Sequence, residues 1–271
     1  MRFSIDWTQP WYSSVRDAAT SCHTSHWINA LNQQALTASL QNHRGITLSF
    51  VNQTELPEGI AYEAFISNTG KIPTRDNAHD FFNALVWLSF PNIKRELNAI
   101  QAKQIAQHGI NHIRGGIRDA ATVFDENSAL LVIRDHALGD QLARALQHHE
   151  WISLFIDQRK PFIEHTEVFI FGHALMEKLL NPYKSITAHT KIIMAPDHYF
   201  SQSKPDRIKW LDLEIAKQLS AEQPQPLNMS WFTPLPILGI PEWWSAQNFN
   251  FYADTQVFRP YKARHKALCT A

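Results

Sequence analysis

The sequence predicts an α+β fold, a single domain with a mixed or antiparallel sheet, packed helices and an extended C-terminal arm. Three observations predict it. Segments with apolar residues at helical spacing interleave with at least one hairpin-like pair of β runs, the pattern of an α+β chain. The 271 residues are 44% apolar, enough length and apolar content for a sizeable core. From Gln223 to Pro241 the chain carries five prolines, and the tail from Gln223 onward is rich in aromatics (Trp231, Phe232, Trp243, Trp244, Phe249, Phe251 and Tyr252) without periodicity, which predicts an arm wrapped over the body. No repeat, low-complexity tract or domain boundary is visible, so residues 1–271 are expected to form one unit. Residues 1–55 read as a helical N-terminal extension and 223–271 as the arm.

The elements follow in order. A helix is expected near residues 27–40 and a short strand over 46–51, with Pro57 and Gly59 as punctuation. Asp76 or Asn77 is a natural N-cap for a helix carrying Phe82, Leu85, Val86 and Ser89, which Pro91 stops. Pro91 then opens a second helix with Ile93, Leu97, Ile100 and Ile105, ended by Gly109. Residues 122–124 and 129–133 read as two strands around an Asp125-Glu126-Asn127-Ser128 turn. A helix at 139–149 continues into a second at 151–158. A strand at 167–171 ends at Gly172, and a helix at 173–180 stops at Asn181-Pro182. A strand at 187–194 and a helix at 205–219 complete the body.

Charge and cysteine content exclude several classes. Lys+Arg and Asp+Glu are both 25, so the formal charge is zero and bulk binding of nucleic acid or anionic membrane is not expected. Cys22 and Cys269 are too few for a disulfide framework. The first residues lack the basic and apolar regions of a signal peptide, and residues 223–241 are too proline-broken for a membrane helix. The expected location is cytoplasmic. Phosphate-loop, dinucleotide-loop, nucleophile-elbow and His-Glu-x-x-His signatures are all absent.

Several separated segments resemble a known family. Pro73 to Leu88 with its His79-Asp80-Phe81-Phe82-Asn83-Ala84-Leu85 run, Arg118 to Asn127, and Phe171-Gly172-His173-Ala174-Leu175-Met176-Glu177-Lys178 are similar to domain-of-unknown-function family 3025, a bacterial family. Thr187-Ala188-His189 and Phe258-Arg259-Pro260 extend the resemblance over roughly residues 55 to 262. It implies no reaction, cofactor or fold.

Three places carry residues suited to chemistry. At residues 74–83, His79 and Asn83 share a helix face, as do Asp76 and Asp80. The free N–H groups of a helix start suit a phosphate or carboxylate, and Arg75 offers a bidentate clamp. The structural alternative is that Asp76 and Asn77 cap the helix while Asp80 complements its dipole. In the second place, His173 and Glu177 stand four apart, the spacing of two ligands on one metal, with His189 on the next strand as a third. A chain with 14 histidines also produces His-x-x-x-Glu by chance, with Glu177 then paired to a neighbouring cation. The third place is Arg118-Asp119 with Asp125-Glu126, carboxylates of a kind that serves general acid–base chemistry. Asp125 and Glu126 fall in the expected turn, which leaves Arg118 and Asp119 as candidates.

These readings converge on a metal-assisted hydrolase of a small anionic substrate. His79, His173, Glu177 and His189 would hold a divalent metal (zinc, iron or manganese) that activates water. Asp80 or Asp119 would be the general base, and Arg75, Asn83 and Arg118 would bind the substrate. Two rivals stay open: a metal-free binding module for a small anionic ligand, and a protein-interaction partner using its charge-poor, Trp-rich surface.

Overall fold

Asn77, with extended backbone, accepts the Asp80 N–H at 2.8 Å and starts the Ala78–Ser89 helix at the cap the sequence indicates. Its residues 80–87 are all buried, so this helix runs through the interior rather than lying on it. Pro91 opens the Pro91–His108 helix at its first position, and Gly109 ends it with a left-handed φ of 72°. In the computed structural model, residues 4–22, 26–109, 116–220 and 226–261 are described.

The strands form two sheets. β1 (Ser49–Asn52) pairs in parallel with β2 (Lys71–Thr74), and the Tyr62–Thr69 helix makes the crossover between them. Gly70 ends that helix at φ 73°, where a Cβ would run into the Thr47 carbonyl and the Ile46 side chain. The larger sheet contains β3 (Ser128–Arg134), β4 (Thr166–Ile170), β5 (Thr187–Ala195) and β6 (Thr233–Pro236), in the order β4-β3-β5-β6. β3 runs antiparallel to β4 and parallel to β5, and β6 closes the far edge antiparallel to β5. Residues 128–133 of β3 are buried on both faces, as a central strand requires. The mixed sheet with packed helices is the expected α+β architecture.

Three expectations need correction. Residues 122–133 are not a hairpin: Gly116–Asn127 is a helix that leads directly into β3. Ala120, Ala121 and Phe124 are its buried face, a spacing only a helix provides, and Phe124 packs against Phe171 and Phe232. The N-terminal segment is not an extension, because Trp11, Tyr12 and Val15 lie in the same core cluster as β3, and Tyr12 stacks on Phe82 at 5.3 Å. The arm in turn contributes β6 and buries Leu235, Ile237, Leu238 and Phe258, so it is part of the core as far as Phe258. Cys22 is buried with a free thiol, and Cys269 lies outside the described residues. No helix among the described residues is long and apolar enough to cross a membrane.

Candidate active site

Four helices and the start of a fifth enclose a cleft of about 380 Å³. The Tyr62–Thr69 helix brings Tyr62 and Glu63, the Ala78–Ser89 helix His79, Asp80 and Asn83, and the Gly116–Asn127 helix Arg118 and Asp125. On the Pro91–His108 helix, Lys94, Asn98 and Gln101 stand at i, i+4 and i+7, and all three are buried. A polar stripe inside a protein is costly unless its members find partners, and the Lys94 ammonium and the Asn98 amide N–H do. Lys94 Nζ donates to Asp125 Oδ1 at 2.5 Å and to Asn83 Oδ1 at 2.9 Å. Asn83 Nδ2 donates to the Tyr62 hydroxyl at 3.0 Å, and Asn98 Nδ2 donates to Glu63 Oε2 at 2.6 Å.

His173 enters from β4 through Gly172. A side chain at Gly172 would collide with the Glu126 carbonyl and the Ser128 N–H, and Gly172 N donates to Ser128 O at 2.9 Å. That close approach presses the first turn of the His173–Lys178 helix against the end of the Gly116–Asn127 helix. His173 Nε2 then lies 3.1 Å from His79 Nε2, and His79 Nδ1 lies 3.0 Å from Glu177 Oε2. The remaining nitrogen, His173 Nδ1, is buried without a hydrogen-bond partner, 4.0 Å from Asp125 Oδ1. Asp125 and His173 are both buried, with side chains 10% and 6% exposed, and exposure then rises to 33% for His79 and 43% for Glu177. This row of groups leads from the cleft to the surface.

Burial sets the electrostatics. It drives His173 down to about 3, with Lys94 adding to the effect against the pull of Asp125, so the imidazole is neutral. Burial pushes Glu63 up, against the opposing pull of Lys94. Burial also acts to raise Asp125, but the Lys94 ammonium outweighs it and holds the carboxyl below its ordinary value. Burial and the Glu63 charge lift the Tyr62 phenol well above the ordinary tyrosine value.

The structure brings together some of the residues singled out from the sequence and separates others. His79, His173, Asp80, Asn83, Arg75 and Arg118 all line the cleft, and Glu177 stands directly behind His79. Glu177 and His173 meet His79 from opposite sides, instead of sharing a ligand position. His189 is not among the cleft residues; its ring sits 6.3 Å from that of Phe232. Asp119 is exposed and also outside the cleft. Asp80 is held by the Arg75 backbone N–H at 2.6 Å and by its guanidinium at 2.9 and 3.0 Å, a closed pair and not a free base. Among the described residues, no three His, Cys, Asp or Glu side chains are grouped as a metal site.

Lys94, Glu63 and Tyr62 are the residues that sequence reasoning missed, and Asp125, weighed with Glu126 as an acid–base carboxylate, is set aside as a turn residue. Asp125 was hidden by the hairpin reading; the buried spacing of Ala120, Ala121 and Phe124 is the signal that places it on a helix. For Lys94 the signal is the polar i, i+4, i+7 row beside the apolar row of Ile93 and Leu97. Glu63 and Tyr62 carry no local signal.

Fold and site together define a mixed α/β protein with a buried, charge-paired polar cleft reached by a histidine pair. The chain belongs to the DUF3025 family of proteins of unknown function, whose profile matches residues 48–262 and so contains every cleft residue named above. No curated protein and no solved structure matches the chain.

Proposed function

We propose that the cleft is the active site of a metal-independent acid–base hydrolase for a small polar substrate bearing one anionic group. The observation that carries this reading is Asp125, buried between the Lys94 ammonium at 2.5 Å and the unpartnered His173 Nδ1 at 4.0 Å. Two carboxylates in one cleft with pKa values pushed apart divide into an acid and a base. Glu63, raised by burial, gives a proton to the leaving group. Asp125, kept ionised by Lys94, takes a proton from the attacking water. His79 Nδ1–H donates to Glu177, so its Nε2 accepts from His173 Nε2–H, and His173 Nδ1 carries the lone pair that faces Asp125. The proton gained by Asp125 passes to His173 Nδ1, that of His173 Nε2 to His79, and that of His79 Nδ1 to Glu177 at the surface; Glu63 is reprotonated from solvent.

Arg118 lines the cleft with its Nε buried and unpartnered, and it supplies the anion slot. Asp80, Glu126 and the two catalytic carboxylates line the same cleft and disfavour a polyanion. The test is a screen of small esters and amides carrying a single carboxylate or phosphate. Glu63→Gln and Asp125→Asn should each lower turnover by about 10²-fold or more while circular dichroism stays unchanged. A folded Glu63→Gln protein with full activity would overturn the assignment.

A second reading keeps the divalent metal. His79 Nε2 and His173 Nε2 lie 3.1 Å apart, near the roughly 3.3 Å edge of a tetrahedron built with Zn–N bonds of about 2.0–2.1 Å. Behind the rings, Glu177 and Asp125 face the two Nδ1 atoms as outer partners of metal-bound histidines do. Near-stoichiometric zinc, iron or manganese in the purified protein, lost in His79→Ala, would favour this reading over the first.

A further inference from the structure

A second concavity, of about 520 Å³, lies where the N-terminal segment meets the tail, away from the cleft described above. Its half-buried walls are Trp243 and Trp244, backed by the buried Trp11 and Tyr12, and its rim carries the carboxylates Asp6 and Glu242. Among the described residues, no lysine, arginine or histidine lines it. Aromatic faces are negative at their centres, so aromatic walls and two carboxylates without a countercharge form a site for a cation.

The groove is built rather than incidental. Trp11 and Trp243 stand 6.2 Å apart with their planes inclined by 55°, so the two rings form a corner and not a stack. The Asp6 carboxylate is fixed by the Thr8 N–H and hydroxyl and by Gln9 Nε2, at 2.6–3.0 Å. Glu242 has φ 72°, the left-handed region that favours glycine. The Gln247 side chain imposes that conformation: its Oε1 accepts the Glu242 N–H at 2.9 Å, and its Nε2 donates to the Leu238 and Ile240 carbonyls. A strained backbone held by its surroundings at the rim of a cavity is a common mark of a functional position.

We infer that this groove binds a small organic cation, an ammonium or quaternary ammonium compound, between the tryptophan walls and the Asp6 and Glu242 carboxylates. Its volume is that of a small-molecule site. The strain at Glu242 places a carboxylate at the rim that glycine, the residue this backbone prefers, would not supply.

The experiment is calorimetric titration of the full chain with choline, tetramethylammonium and putrescine, with 3,3-dimethylbutanol as the uncharged shape-mimic of choline. Saturable binding of at least one cation is expected, about tenfold or more tighter than the neutral mimic. Glu242→Gly should weaken that binding about tenfold while leaving the melting temperature unchanged or higher, because it relieves the strained φ. Trp244→Ala should weaken it as well. No saturable binding of any of the three cations at tens of millimolar would overturn the inference, as would cation binding that both variants leave unaltered.

Discussion

His173 is hydrogen-bonded through Nε2 to His79, and its other ring nitrogen lies 4.0 Å from the Asp125 carboxylate without a partner. A buried imidazole with one nitrogen unpaired costs free energy that packing alone does not explain. The geometry poises a proton acceptor against a carboxylate that Lys94 keeps charged.

The Lys94–Asp125 pair should dominate the stability of the cleft. Both side chains are at most 10% exposed. Asp125→Asn leaves a buried ammonium short of its counterion and should cost about 3–5 kcal/mol in urea unfolding. Lys94→Met combined with Asp125→Asn should recover a large part of that loss. A coupling energy under about 0.5 kcal/mol would contradict the pairing.

Two buried groups should impose opposite slopes on stability against pH. His173 falls from 6.5 to about 3 on folding, so the unfolded chain binds more protons between those values. Its contribution is complete above pH 6.5 and is lost as pH falls toward 3. Asp212 rises from 3.8 to about 6, because burial outweighs its bonds from Asn92 and the Ile93 N–H. Its contribution is complete below pH 3.8 and is lost as pH rises through 6. Between pH 4 and 6 the two oppose each other, each by at most about 1.4 kcal/mol per pH unit. Denaturation midpoints of Asp212→Asn should therefore fall more steeply on acidification than those of the parent protein, and those of His173→Gln less steeply.

Gly172→Ala tests the contact that sets His173 in place. The added methyl meets the Glu126 carbonyl and the Ser128 N–H, neither of which can yield without moving a helix end or β3. The expected loss is about 1–3 kcal/mol, read as a lowered melting temperature. An unchanged melting temperature would show that the approach is looser than described.

Arg118→Met should abolish ligand-induced stabilisation in the cleft. A small carboxylate or phosphate compound that binds the native state at one hundred times its dissociation constant adds about 2.7 kcal/mol to the parent protein. The Arg118→Met variant should show no such increment with the same compound, whereas Arg75→Met should retain most of it, since the Arg75 guanidinium is already committed to Asp80.

Much of the helical framework is legible because its signals are local. Asn77, Pro91 and Gly109 mark helix ends through their own backbone chemistry, and the expected boundaries hold there. Residues 122–127 mislead because Thr122, Val123 and Phe124 favour strands and Asp125 to Ser128 favour turns. Packing of Phe124 against Phe171 and Phe232 prevails over both preferences. The candidate site divides in the same way. Arg75, His79, Asp80 and Asn83 stand on one helix start, and four-residue spacing singles them out. The same spacing suggests that His173 and Glu177 share a ligand, whereas the fold inserts His79 between them.

The sequence by itself determined the α+β class, the helix caps and the histidine–carboxylate segments, all of which follow from periodicity and backbone preference over a few residues. Only the tertiary structure decided that Glu63 and Asp125 share one cleft, with Lys94 buried against Asp125, and that His189 and Asp119 lie outside it. Those residues come from separate elements, and Lys94 and Asp125 lie 31 positions apart. Their meeting depends on how buried helices pack and on the close approach at Gly172, relations that no stretch of neighbouring residues encodes.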